Sequence, residues 1–342
     1  MANKARPRDN YPLVMVLLVL ALILASLLAL FGGPVRIGWD ELTRIFSAAG
    51  DETASLILFQ IRLPRLVMAA AVGAALAVAG AAFQGFFRNS LADPFVIGAS
   101  SGAALGAALA LTAGWTGSFL GLSPQSLCAF AGAITAVFLA FAISHTGGNP
   151  PPAMALLLGG TALSAFFSAL LALITVLRDR ALHQVYYWLL GSLGGASWTG
   201  AVSLIPLMAA GCLVVFLCAR PLDLLIQGEE VAESLGVSAG RTRIIAALGA
   251  SLAAAAAVAA AGVIGFVGLI APHGARLFTG PGHRRLFPAA AIGGALLTLL
   301  ADAAARNLAA PMELPIGIVT SLGGAPFFIY LLIRYGRNLG NR

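Results

Sequence analysis

Few residues in this chain carry side chains that do chemistry, and its single lysine excludes one class of enzyme. Lys4 has no GxxxxGK[ST] sequence around it. A Walker A loop needs such a lysine on the β- and γ-phosphates of its nucleotide. The chain therefore cannot be a P-loop ATPase by itself.

The cysteines lie in apolar stretches without CxxC spacing, so they indicate neither a metal site nor a disulfide framework. Buried small apolar side chains are the better interpretation. These residues are Cys128, Cys212 and Cys218. The sequence also has no HExxH motif. We expect no catalytic residue, no metal site and no bound cofactor.

Two arginines flank a proline at residues 60–65, which read QIRLPR. Pro64 suits the start of a helix. Arg62 and Arg65 would then oppose the helix macrodipole, so we expect something to compensate their charge. The compensation is either lipid phosphate and solvent or an acidic partner that docks on the outer face.

A second charged pair, Asp302 and Arg306, is predicted near the outer end of a later helix. Their spacing of four residues favours an ion pair on one helix face. Pairing lowers the cost of an acid near the membrane, which is about 2.5–3.5 kcal/mol for a central unpaired charge.

The longest polar segment, residues 220–243, contains acids, then a glycine, then arginines. Acids at the start and arginines at the end suit the macrodipole of a short helix, and the glycine permits a tight turn. Such a helix could transmit force from a cytosolic partner; the alternative is a solvated loop. The residues concerned are Glu229, Glu230, Glu233, Leu235, Gly236, Arg241 and Arg243.

For two further segments, a structural role is a sufficient explanation. Asp93 precedes a proline in a turn and can cap the next helix. The glycine-rich stretch 262–273 predicts a broken helix that is buried or faces a cavity. His273 within it could bind a metal or carry a proton, but a packed histidine is the simpler reading.

Membrane helices must position these residues, because the composition excludes a soluble domain. Hydrophobic residues make up 60% of the chain, against about 45–50% in soluble proteins. Charged residues make up 10%, against about 25%. The net charge of +7 forms no stripe with interleaved aromatic residues, so nucleic acid is not an expected partner.

Ten crossings are predicted, with both termini inside. The inner segments then hold thirteen basic residues and the outer ones seven, as the positive-inside rule requires. The uncharged run from 244 to 272 is read as one helix to about Ala261, a turn, and a short helix that passes Arg276. The other predicted spans are 13–31, 66–83, 95–113, 127–144, 153–177, 199–219, 286–305 and 314–333. The first span is too long for a typical cleaved signal peptide.

Four motifs occur in an order that resembles a known family, the permease subunits of type II ABC importers for iron–siderophores, haem and cobalamin. They are IRLPR at 61–65, NSLADPFVIGASSGAALG at 89–106, GVIGFVGLIAPH at 262–273 and ELPIGIVTSLGGAPFFIYLL at 313–332. The resemblance implies an all-α, polytopic membrane protein with the permease fold of that family. It divides the chain into a cytoplasmic tail at 1–12, a ten-helix permease domain at 13–336 and a second cytoplasmic tail at 337–342.

The same resemblance implies a homodimer in the lipid of the inner membrane, two cytosolic ATP-binding-cassette subunits and an extracytoplasmic binding protein. Arg62, Arg65 and Arg306 match arginines that grip acidic residues of that binding protein. Residues 220–243 become the cytoplasmic coupling segment, with Glu229–Arg243 as the ATPase contact. The inner gate is expected near the loop at 145–152.

We therefore expect a transporter subunit, not an enzyme, for a ferric siderophore, haem or a similar metal complex; cobalamin is the alternative substrate. A secondary transporter driven by protons or sodium belongs to a different class. Such proteins usually carry intramembrane acids as relays, and here only Asp302 comes close.

Overall fold

A computed structural model describes residues 10–32, 52–145, 153–178 and 181–340. These residues form helices, and the only extended pairing among them is one isolated bridge between Phe119 and Leu122. The predicted inner gate loop falls largely at 146–152, outside the described residues.

The helices coincide with the ten predicted spans and add shorter elements between them. In chain order they are α1 Tyr11–Phe31, α2 Glu52–Leu56, a π-helical stretch Ile57–Arg62, α3 Leu63–Phe86, α4 Ala99–Thr112, α5 Pro124–His145, α6 Ala153–Leu177, α7 Leu182–Leu189, α8 Trp198–Leu217, α9 Ala219–Gln227, α10 Glu229–Ser234, α11 Ala239–Ala261, α12 Val267–Thr279, α13 His283–Asn307 and α14 Ile316–Gly340.

Seven helical stretches within the described ranges are long and apolar enough to cross a membrane. They are α1, the run Glu52–Phe86, α5, α6, α8, α11 and α13. Helix α4 and the first part of α14 are apolar but shorter, so they need neighbouring helices to complete the crossing.

Helix α3 lies at the centre of the bundle and packs on α8, α11, α12 and α13. Its contacts depend on glycine: a Cβ added at Gly73 would overlap the carbonyl oxygen of Gly294, and one added at Gly80 would overlap that of Gly268. Small residues let helices approach closely in lipid, where the hydrophobic effect does not drive them together.

The predicted break in the run 244–272 is confirmed. Helix α11 ends at Ala261, and α12 begins at Val267 after an irregular turn. Gly262 has a φ of +70°, which a residue with a side chain rarely adopts. His273 is buried on α12, with its ring 6.2 Å from that of Phe327 in an edge-on arrangement. This burial and ring contact fit the packed interpretation of the histidine.

Pro64 lies in the first turn of α3, as expected, although the π-helical stretch before it makes the helical run from Glu52 to Phe86 continuous. Two other local expectations were wrong. Asp93 does not cap α4, which starts after Gly98; its carboxylate instead accepts the Phe95 N–H within a turn. Cys218 is buried as expected, but Cys128 and Cys212 are half-buried.

Candidate functional site

Arg65 lies at the centre of a charge cluster at the predicted outer end of the bundle. Its Nε and Nη2 atoms donate to Oδ1 of Asp302 at 3.0 and 2.9 Å. Its Nη1 atom donates to both carboxylate oxygens of Glu313, at 2.9 and 3.1 Å. One guanidinium thus joins α3, α13 and the segment that leads into α14.

The other two arginines complete the cluster and reach the end of α1. Arg306 Nε lies 3.2 Å from Asp302 Oδ2, which confirms the predicted pair four residues apart. Arg306 also donates to the carbonyl of Ala29, and Arg62 donates to that of Leu30 at 2.7 Å. The last carbonyls of a helix lack partners within it and carry partial negative charge, so cations are favourable there.

We call Arg62, Arg65, Asp302, Arg306 and Glu313 the arginine cluster. Its three cations and two anions leave a formal charge of +1. Most of the compensation for the arginines thus comes from acids of the chain itself, a source that the sequence analysis did not consider beside lipid phosphate, solvent or an acidic partner. Exposure is uneven: the Glu313 side chain is 44% exposed, against 11% for Arg65 and 3% for Asp302.

The coupling segment at the opposite end consists of α9, α10 and the start of α11. Gly236 has a φ of +78°, so the predicted tight turn is present. The prediction of a single short helix is wrong. Ser238 caps α11, so Arg241 and Arg243 lie in the first turns of α11 and not in the same helix as the acids. All six residues proposed for ATPase contact are exposed: Glu229, Glu230, Glu233, Leu235, Gly236 and Arg241.

Three polar contacts hold this segment in place, one of them within the segment and two to other parts of the bundle. Arg88, just after α3, donates to the carbonyl of Leu225. Arg243 of α11 pairs with Glu229, and this hydrogen bond lowers the pKa of the Glu229 carboxyl despite partial burial. The third contact is between α9 and the start of α13.

That third contact is a carboxylate–histidine pair that sequence reasoning missed. Asp223 Oδ1 accepts the backbone N–H of His283 at 2.9 Å and faces its ring Nδ1 at 2.6 Å. Burial raises the pKa of the Asp223 carboxyl, but the His283 hydrogen bonds and the positive charge of Arg284 outweigh it and lower the pKa. A carboxylate at the first turn of α13 also complements its macrodipole. Since the partners are 60 residues apart in the sequence, no local sequence pattern predicts the pair.

Among the described residues, no group of three or more His, Cys, Asp or Glu side chains is placed to hold a metal ion. The contacts observed in the arginine cluster and in the Asp223–His283 pair are ion pairs and hydrogen bonds.

The sequence match to known proteins decides the family. The FecCD transport family matches residues 19–334, almost the whole chain. The chain belongs to the FecCD transport family.

Relatives of this FecCD family member match most of its length. The cobalamin import system permease protein BtuC of Halobacterium salinarum is 44% identical over 86% of this chain and 79% of its own length. The hemin transport system permease protein HmuU of Yersinia pestis is 38% identical over 98% of both. The Fe(3+) dicitrate transport system permease protein FecD of Escherichia coli is 39% identical over 94% of this chain and 98% of its own.

A solved structure of a metal-chelate type ABC transporter, in an inward-facing conformation, has the same fold. It matches with a TM-score of 0.82 and 31% identity, over 94% of this chain and 99% of the other. The predicted fold class is thus confirmed: this FecCD family member is an all-α, multi-pass membrane protein with the permease fold of metal-chelate importers.

Proposed function

We propose that the chain is the permease subunit of an ABC importer that moves a ferric siderophore, haem or a similar metal complex across the inner membrane. The observation that carries the proposal is the family match along almost the whole chain, together with relatives whose names specify hemin, ferric dicitrate and cobalamin. Cobalamin is the alternative substrate, because the cobalamin permease is 44% identical.

The proposed assembly contains two copies of the chain, two cytosolic ATPase subunits and an extracytoplasmic binding protein. Both termini are cytoplasmic, with tails at 1–12 and 337–342 and the permease domain at 13–336. Helix α6 leaves much apolar surface uncovered, including Leu158, Phe166 and Val176, and in the proposed assembly a second copy can pack there. The remaining apolar surface contacts lipid.

A proton-driven secondary transporter fits the cluster poorly. The acid in the best position for a relay is Asp302, which is buried between Arg65 and Arg306. Loss of the Asp302 charge would leave the buried Arg306 without its carboxylate and Arg65 with Glu313 alone, and a desolvated charge without its partner is costly.

At the predicted outer end, the docking site for acidic residues of the binding protein is the group of Arg62, Arg65 and Arg306, in which Arg65 makes the contact and the buried Arg62 and Arg306 add positive charge behind it. The cluster's net positive charge supports this role, as does the partial exposure of Arg65 through its Glu313 side. At the other end, the exposed residues of α10 and the Gly236 turn contact the ATPase. The Asp223–His283 pair joins α9 of the coupling segment to α13, so a movement of the segment can be transmitted to that membrane helix.

The function is tested in liposomes with the chain alone and with an ATPase and a binding protein that co-purify with it. Labelled ferric hydroxamate, haemin and cyanocobalamin serve as probes. We expect concentrative uptake of at least one probe only when all components and ATP are present. Uptake against a gradient by the chain alone, driven by protons or sodium, would refute the proposal.

Docking is tested separately by the affinity of the detergent-purified chain for the binding protein. Arg65→Gln should weaken binding by at least about tenfold, since truncation of one partner of a desolvated charge pair costs about 2–5 kcal/mol. Arg178→Gln is the matched control, because Arg178 is exposed at the same predicted end but outside the cluster. Equal affinities for the Arg65 variant and the unchanged chain would contradict the docking assignment.

A further inference from the structure

The donors of Arg65 are divided between two carboxylates of different character. Nε and Nη2 face Asp302, which is almost fully buried, whereas Nη1 faces Glu313 alone among the described residues. The planar guanidinium presents its donors in fixed directions, so each side of the fork can serve one carboxylate well. An acid from outside the chain would have to use the Nη1 side.

The two carboxylates also differ in how readily they can leave. Separation of the buried Asp302 from its arginines would leave desolvated charges without a partner, which is strongly unfavourable. Glu313 is 44% exposed and belongs to the segment before α14, and an exposed ion pair contributes only about 0–1 kcal/mol. Water can replace Arg65 around the Glu313 carboxylate at little cost.

From this geometry we infer that Glu313 is an intramolecular competitor of the binding protein: its carboxylate occupies the Nη1 side of Arg65 that an acidic residue of the partner must take. The inference rests on the proposed docking role of Arg65. Docking then exchanges one carboxylate for another on the same donor. Glu313 thereby weakens the complex and keeps Arg65 extended toward the surface between encounters.

The competition has a charge component besides the steric one. The cluster carries +1 with Glu313 ionised and +2 when a neutral residue replaces it. A more positive surface speeds the association of an acidic partner, and salt screens the effect over a Debye length of about 10 Å at 0.1 M. The effect of Glu313 should therefore be larger at low salt.

The test compares the binding protein's affinity for the purified full chain and for Glu313→Gln, which keeps the side chain's size and removes its charge. We expect affinity to rise about three- to tenfold, with faster association at 50 mM salt and a smaller gain at 500 mM. Glu52→Gln is the control for net charge, because Glu52 is an exposed acid on the same helical run as Arg65. It should change affinity less than twofold.

A double variant separates competition from a general effect of charge. If Glu313 acts through Arg65, then Glu313→Gln should give no gain in a chain that already carries Arg65→Gln. A loss of affinity in Glu313→Gln would mean that Glu313 only positions Arg65, and it would overturn the inference. So would an unchanged affinity, or an equal gain from Glu52→Gln.

The docking proposal and this inference fail in different ways. If Arg65→Gln leaves the affinity unchanged, the docking role itself is wrong. If Arg65→Gln weakens binding while Glu313→Gln does not strengthen it, docking stands and the competition is wrong.

Discussion

Arg65 provides a direct comparison between a buried and an exposed ion pair on one side chain. Its shortest contacts to Asp302 and to Glu313 are both 2.9 Å, yet the side chain of Asp302 is 3% exposed and that of Glu313 is 44% exposed. Asp302→Asn and Glu313→Gln each remove one charge with little change of shape. Burial is therefore the main difference between the two substitutions.

The expected magnitudes follow from what each change leaves behind. Without Asp302, the buried Arg306 loses the only carboxylate at ion-pair distance from it in the described part of the chain. Loss of one partner of a buried pair costs about 3–5 kcal/mol. We expect the lower end, about 3 kcal/mol, since Arg65 keeps Glu313 and Arg306 keeps the Ala29 carbonyl. Glu313→Gln should cost about 0–1 kcal/mol.

The assay is thermal unfolding of the purified chain in a mild detergent, followed by tryptophan fluorescence and by loss of the monodisperse species. Asp302→Asn should unfold at a clearly lower temperature than Glu313→Gln, which should remain close to the unchanged chain. A difference of about 2 kcal/mol corresponds to a factor of about 30 in the unfolding equilibrium. Equal destabilisation by the two substitutions, or none by Asp302→Asn, would refute the argument from burial.

Two further predictions concern helix packing and pH. Gly80→Ala should destabilise the chain by about 1–3 kcal/mol, because the added Cβ would overlap the Gly268 carbonyl. Gly274→Ala on α12 is the control: its added Cβ meets open space, so it should be tolerated in the same unfolding assay. Burial raises the pKa of Asp93 to about 6, although the Phe95 N–H opposes the shift, so the folded chain keeps the proton at pH values where the unfolded chain has already lost it. Stability should therefore fall by up to about 3 kcal/mol as the pH rises from about 4 to about 6, and should depend little on Asp93 above that. Asp93→Asn should remove this dependence; a parallel pH profile for the variant would contradict the assignment.

The sequence alone determined the features that depend on neighbours along the chain. Apolar length predicted the membrane helices, and the glycines after Ala261 predicted the break before α12. The Gly236 turn and the pairing of Asp302 with Arg306 are equally local, because a positive φ and a spacing of four residues are properties of a short segment. Composition and the single lysine likewise excluded a soluble domain and a P-loop ATPase.

Local sequence patterns predict the structure less well where several partners compete for the same residue. The charges at 229–243 suited one short helix, but the Gly236 turn and the Ser238 cap divide them between two helices. Asp93 is of a residue type that often caps helices, yet its carboxylate accepts the Phe95 N–H within a turn.

Only the tertiary structure decided what compensates the arginines and what anchors the coupling segment. Arg65 meets Asp302 and Glu313 across 237 and 248 residues, and Asp223 meets His283 across 60. A charged side chain in an apolar bundle needs a partner, and that requirement is visible in the sequence. Which partner it finds depends on helices whose close packing through glycine brings distant segments to the same end of the membrane.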